Sequence, residues 1–324
     1  YVRRVINLCL IYAIIGLSMN LTNGFAGQFS LGQAGFMAVG AYVVGVFTVP
    51  VELRPNVFYA EPMNPLIADI QMPLWLALLV GGLLSALIAF LIGWPVLRLR
   101  GDYLAIATLG FSEIIRIVIT NAQSWTNGAL GIKDIPALND VRYIFIATAI
   151  TFLFVTCLIN SSYGRAFKAI REDEIAAEAM GVGLFKHKCM AFMISAFFAG
   201  IGGGLYATLL GTVDPKNFLF TLTYNFLLII VLGGMGSITG SMLGSIIVTA
   251  GLEYLRVFDE PLELFGMAIP LFRPGFRMVI FSVLLMACVL FWRKGIMGRN
   301  EFTWEKFMAF CKNPVKYFTQ KGAK

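Results

Sequence analysis

Apolar runs follow one another along this chain, and one charged stretch, Ser161 to Lys188, divides them. A helix that crosses a bilayer takes about 20 mainly apolar residues. The runs that reach or approach that length are Val5–Thr22, Leu31–Val49, Leu74–Leu97, Tyr103–Asn121, Tyr143–Ile159, Cys189–Thr212, Leu222–Leu232, Met242–Leu255 and Arg277–Trp292. Hydrophobic residues make up 58% of the 324 and charged residues 13%, where a soluble domain carries about a quarter charged. The pattern predicts an all-α polytopic membrane protein with about 8–10 transmembrane helices, broken or re-entrant at Gly-rich segments. Residues 1–297 form the membrane domain and 298–324 a basic tail. No small-residue cleavage pattern follows the first run, so it does not read as a signal peptide. A start at Tyr1 rather than Met points to an N-terminal piece outside this sequence.

The charged stretch reads SSYGRAFKAIREDEIAAEAMGVGLFKHK. Each charged side chain costs about 2.5–3.5 kcal/mol at the centre of a membrane helix, so Arg171, Glu172, Asp173 and Glu174 together exclude it from lipid. Alanines and straight-chain residues from Arg165 to Met180 favour helix, bounded by Gly164, Gly181 and Gly183. Phe167, Ile170, Ala177 and Met180 recur near helical spacing. A short helix with one mildly apolar face, lying outside the membrane, is expected.

Lys and Arg accumulate on the cytoplasmic side of membrane proteins. Eight of the 25 basic residues lie after Trp292. With Arg98 and Arg100 and the five basic residues of the charged stretch they put fifteen on one side, against seven in the opposite connectors. The charged loop and the C-terminus are therefore expected in the cytoplasm. Nine runs then place Tyr1 outside, whereas Arg3 and Arg4 pull it inward, so one segment is expected to be re-entrant or the count altered by a missing N-terminus. The net charge of +7 sits mostly in a tail near anionic lipid, which excludes nucleic acid as the natural partner. The five cysteines are scattered without metal spacing, and the single histidine, His187, stands between two lysines.

Two stretches are dense in small and polar residues at membrane depth. The first, NLTNGFAGQFSLGQAGF, holds Asn20, Gly27, Gln28, Ser30, Gly32 and Gln33; the second, GGMGSITGSMLG, holds Gly234, Gly236 and Ser237. Such residues allow close helix approach and also unwound backbone, which membranes tolerate only where it is buried or lines a polar path. Tight packing and a translocation path are both open for them. Glu113 and Arg116, three apart within one run, form either a self-neutralising pair or part of a proton relay. Several enzyme classes lack their parts. There is no GxxxxGK[ST] loop for nucleotide phosphates, no metal-ligand cluster, and no base near Ser237. The chain is expected to be no enzyme and to bind no cofactor itself.

The stretches LIYAIIGLSMNLTNGFAGQFSLGQAGFMAVGAY, GDYLAIATLGFSEIIRI, YGRAFKAIREDEIAAEAMGV and VLGGMGSITGSMLGSII, in this order, resemble LivM-type permeases of branched-chain amino acid ABC importers. The resemblance runs from about residue 10 to residue 255 and implies the ABC importer permease fold. It implies a bacterial inner-membrane subunit paired with a second, homologous permease. Two cytoplasmic ATPases holding ATP and Mg would drive the pair, and a periplasmic binding protein would deliver substrate. It further implies that the charged loop is a coupling helix docked in an ATPase groove. Gly164 and Gly181 bound that helix; Arg165, Arg171, Glu172, Asp173 and Glu174 are its polar contacts, and Ala169, Ile170, Ala176 and Ala177 pack into the groove. Alternating access at the Gly-rich breaks would carry substrate. Longer relatives carry extra hydrophobic helices before the start of this match. Related permeases handle urea, amides or other amino acids, and a self-sufficient secondary transporter or channel is the competing class.

Overall fold

The computed structural model describes residues 1–99, 101–138 and 140–255, and beyond these 263–264, 267–268, 279–280, 282–283, 286, 295–298 and 301. The expected final span, Arg277–Trp292, and the tail, 298–324, otherwise lie outside the described residues. Ten helices among the described residues carry the architecture: α1 (Val2–Asn20), α2 (Gln33–Thr48), α3 (Leu74–Val96), α4 (Asp102–Asn121), α5 (Val141–Asn160), α6 (Ser162–Glu172), α7 (Glu174–Ala179), α8 (Leu184–Leu210), α9 (Phe220–Gly233) and α10 (Ile238–Tyr254). Among the described residues, strand pairing is confined to Glu263–Leu264 with Met267–Ala268 and one bridge between Ile132 and Val213.

Among the described residues, five helices are long and apolar enough to cross a membrane: α1 with its extension to Phe25, α3, α4, α5 and α8. The second apolar run is shorter than its sequence suggests. Its helix, α2, begins only at Gln33 and has 16 residues, about 24 Å at 1.5 Å per residue, less than the hydrocarbon thickness of about 30 Å. After Thr48 the chain bends by 97° into Val51–Val57. The region 222–255 is a tight hairpin of two short helices. A Cβ on Gly233 would land on the carbonyl of Gly240, and one on Gly244 on that of Ile229. That register makes α9 and α10 antiparallel with their backbones in contact, which only glycine permits.

Hydrogen bonds assign the helix ends to two faces. The connector 50–73 joins 122–140 through Asn64 N to Ser124 O and Asn127 Nδ2 to Val57 O, and 122–140 joins 211–219 through Ile132 and Val213. These connectors form one face. Thr148 on α5 donates to Leu10 O of α1, and both helices run on to the cavity wall that Phe25 and Asn160 share. They are therefore parallel, and Tyr1 begins at the connector face with Arg3 and Arg4. There Tyr1 donates to Glu253 at the end of α10 (3.1 Å). The charged loop occupies the opposite face.

The core is laid around α8 and α1. Helix α8 packs on α2 and α3, while α1 is enclosed by α10, α8, α5 and α9. Gly40, Gly81 and Gly200 bring three backbones together, and Ser85 donates there to Phe36 O and Gly81 O. Helices α3 and α5 are peripheral. Their outward side chains, among them Leu83, Leu87, Leu91, Ile150 and Leu153, are exposed, as a lipid-facing surface requires. The connector face is pinned by Arg54, which is 4% exposed and donates to the carbonyls of Val49, Ile67, Ala68 and Ile70. Burial pulls its guanidinium below the ordinary arginine value, and Asp69 offsets part of that. Arginine keeps its proton nonetheless, and four carbonyls carry the charge.

Candidate functional site

The charged loop is two helices rather than one. Asp173 is extended (φ −157°, ψ 115°), and its carboxylate accepts from Ile175 N (2.8 Å) and Ala176 N (3.1 Å). It thus caps α7, as Asp does at helix starts. Helix α6 is amphipathic, with Gly164, Phe167 and Ile170 inward. Phe167 is fully buried among Leu17, Leu21, Phe25, Val155 and Ile238. Gly164 lies on the carbonyl of Ile159, where a Cβ would clash with the turn from α5. Lys188 of α8, 8% exposed, pairs with Glu174 at 2.5 Å and ties down the start of α7.

Arg171 joins this loop to both Gly-rich stretches. Beyond Asn20, α1 continues as a π turn, Leu21–Phe25. Arg171 Nη1 donates to Gly24 O there (2.7 Å), and Nη2 pairs with Glu172 (2.9 Å). The arginine also lies flat on two glycines of positive φ. A Cβ on Gly27 (φ +68°) would stand 3.0 Å from Arg171 Cα, and one on Gly236 (φ +90°) 2.8 Å from Nη1. Only glycine meets both the conformation and the approach. Asn20 closes the junction from the other side: Nδ2 donates to Ser237 O (2.8 Å) and Ser241 Oγ (2.7 Å), and Oδ1 accepts from Gly236 N (2.8 Å). Ser237 caps α10 through Gly240 N (3.0 Å).

Between α1 and α2 the chain is unwound. Asn23 clamps it, giving Nδ2 to Ser30 O (3.2 Å) and accepting from Ser30 N (3.1 Å). Gln28 is buried, and its carboxamide makes no hydrogen bond among the described residues. Leu31 N donates to Thr108 Oγ1 beside Gly32, and Ala34 N to Thr223 Oγ1. Gln33 Nε2 donates to Ser18 Oγ (2.5 Å) and reaches Ser195 Oγ (3.3 Å), joining α1, α2 and α8. A polar thread therefore leads from Arg171 into the bundle.

The structure brings Asn20, Gly27, Gly236, Ser237 and Arg171 to one junction, with Gly234 (φ +117°) in the same turn. Gln28, Ser30, Gly32 and Gln33 follow one step deeper. Glu113 stands apart, paired with Arg116 at 2.8 Å with each side chain about a quarter exposed, and accepting from Phe220 N at the start of α9. In the loop, Arg165, Ala169, Glu172, Asp173, Ala176 and Gly181 are exposed, whereas Ile170 and Ala177 face the chain's own core. The most exposed large apolar side chains there are Ile175 and Met180, at 75% and 85%. Sequence reasoning also passed over Asn23, Ser18, Thr108, Ser195 and Thr223. Asn23 carried a signal, the i,i+3 repeat with Asn20 in NLTNGF; the hydroxyls carried none.

A cavity of about 510 Å³ adjoins the junction on the loop face, walled by Phe25, Thr156, Asn160, Lys168, Arg171 and Glu301. Lys168 Nζ lies 6.0 Å from the Phe25 ring centre, within cation–π range.

A family model described as "Branched-chain amino acid transport system / permease component" matches residues 1–290. The high-affinity branched-chain amino acid transport system permease protein LivM of Escherichia coli is 36% identical over 287 residues, which is 78% of this chain and 63% of that protein. A probable branched-chain amino acid transport permease protein LivM of Methanocaldococcus jannaschii is 27% identical over 89% of this chain and 90% of its own length. The guanosine ABC transporter permease protein NupQ of Bacillus subtilis is 24% identical over 85% of each. The chain thus spans less than two thirds of the Escherichia coli relative. No solved structure matches it.

Proposed function

The chain belongs to the family of permease components of branched-chain amino acid transport systems, and from that premise we propose that it is a membrane subunit of an ATP-driven importer of hydrophobic amino acids. One observation carries the reading: a single arginine, Arg171, ties the loop outside the bundle to both breaks inside it. A push on α6 is transmitted to the π turn of α1 and to the tip of the α9–α10 hairpin. Rigid packing passes such displacements on rather than absorbing them.

The loop face is cytoplasmic, in accord with the excess of Lys and Arg on that side. Two ATPase subunits carrying ATP and Mg dock there, a second homologous permease completes the membrane path, and a periplasmic binding protein supplies substrate. The docking surface is α7 with its C-cap, where Ile175 and Met180 stand bare beside Asp173 and Glu178. ATP-driven closure of the ATPases shifts α7 and α6 together, and the breaks exchange outward and inward opening. Such an exchange requires each state to make different contacts with the partner. The branched-chain amino acids are the first substrate reading. The NupQ relationship keeps nucleosides, and the wider family amides and urea, as the second.

The test is reconstitution with the ATPases and the binding protein in liposomes. Uptake of leucine, isoleucine or valine is expected only with ATP on the loop side, and is lost in Arg171→Glu with Glu172→Arg. Ion-gradient-driven uptake by this chain alone would overturn the reading in favour of a secondary transporter.

A further inference from the structure

The break between α9 and α10 leaves backbone groups that neither helix can satisfy, and a segment 60 residues further on takes them. Ile296 N donates to Leu232 O (2.8 Å) and Met297 N to Gly233 O (3.1 Å), closing the carbonyl end of α9. Gly295 (φ +68°) packs on the backbone of Gly234. The Glu301 carboxylate then accepts from Ile238 N (2.8 Å), Thr239 N (3.1 Å) and Thr239 Oγ1 (2.8 Å) at the amide end of α10. Gly240 N goes to Ser237. The geometry of the break is therefore set by residues 295–297 and Glu301 as much as by the hairpin itself. A carboxylate on a helix start interacts with both the amides and the dipole.

We propose that residues 295–298 and Glu301 together strap the hairpin tip and that Glu301 is a positioning residue of the gate. It acts through α10, holding Gly236 and Ser237 against Asn20 and Arg171, and it closes one wall of the cavity shared with Lys168 and Arg171. Release of Glu301 frees the amides of Ile238 and Thr239, loosens the tip from α6 and widens the cavity. The inference rests on the transport reading for its consequence, though not for its geometry.

Two readouts separate the two. In a background with the native cysteines replaced, Thr156→Cys on the cavity wall reports access to a membrane-impermeant thiol reagent in the assembled complex. Glu301→Gln is expected to raise its labelling rate about tenfold, the scale of losing a charge-assisted hydrogen-bond pair, and Glu301→Asp to restore most of the difference. In reconstituted complex, Glu301→Gln is expected to lower maximal ATP-coupled uptake about tenfold, with KM within about twofold, since the substrate's own contacts are intact. A labelling rate unmoved by Glu301→Gln overturns the strap. A changed labelling rate with unchanged uptake overturns its place in the gate. If the parent complex shows the labelling response but no ATP-coupled uptake, the transport reading fails and the strap stands.

Discussion

The two halves of the charged loop differ in what holds them. Helix α6 is bound on three sides: Phe167 in the core, Gly164 on the end of α5, and Arg171 on Gly24, Gly27 and Gly236. Helix α7 is held at its first turn by Asp173 and Lys188 and by Ala177 within, and otherwise turns its apolar side chains outward. Composition does not separate them, since both are Ala-rich and charged. The difference lies in which side chains the break at Asp173 sends inward. A loop built this way has a rigid root and a free contact surface, which is what a lever needs.

Substitutions sharpen that contrast by testing root and surface separately. The largest effect is expected at Phe167, where truncation to Ala leaves a cavity costing about 3–5 kcal/mol. The purified complex should melt markedly lower, and an unchanged melting temperature would show that α6 is not rooted in the core. Arg171→Ala comes next. It strands the Gly24 carbonyl, at a cost of about 1–3 kcal/mol, and cuts the link to both breaks. ATP hydrolysis by the complex should continue while uptake falls; loss of both in equal measure would deny Arg171 a role in transmission. The smallest stability effect belongs to Ile175→Asp and Met180→Asp, within about 0.5 kcal/mol for exposed sites. These should leave melting unchanged and release the ATPase subunits on purification. Retention of the ATPases by the double variant would remove α7 from the docking surface.

The periodicity of apolar runs made the bundle legible in advance, and the polarity of Ser161–Lys188 made the loop legible. The internal face of the loop was only half readable. A single helix places Phe167, Ile170, Ala177 and Met180 on one side, and the first three are indeed inward. The interruption at Asp173 resets the phase, so Met180 points away. Asp is a good helix cap, but nothing local distinguishes a capping Asp from one on a solvated face. In the Gly-rich stretches the local sequence favours packing for the single glycines and leaves Gln28, Ser30 and Gln33 open between packing and path. Both uses demand glycine, and the distinction at Gly27 and Gly236 rests on an arginine about 144 and 65 residues away, respectively, beyond the reach of any local pattern. Glu301 was invisible for the same reason, its partners lying about 60 residues away and itself one of two acids in a basic tail.

The π turn at the end of α1 has a mechanical consequence. Its defining bond runs from Ala26 N to Leu21 O (3.0 Å), so the turn holds one residue more than an α-helical turn does. Tightening it would pay out one residue of chain, about 1.5 Å of axial rise and a rotation near 100°. That slack lies between the rigid part of α1, where Ser18 anchors Gln33, and the carbonyl of Gly24 that Arg171 grips. A small pull at the surface can thus be taken up as a change of winding, leaving the buried anchor in place.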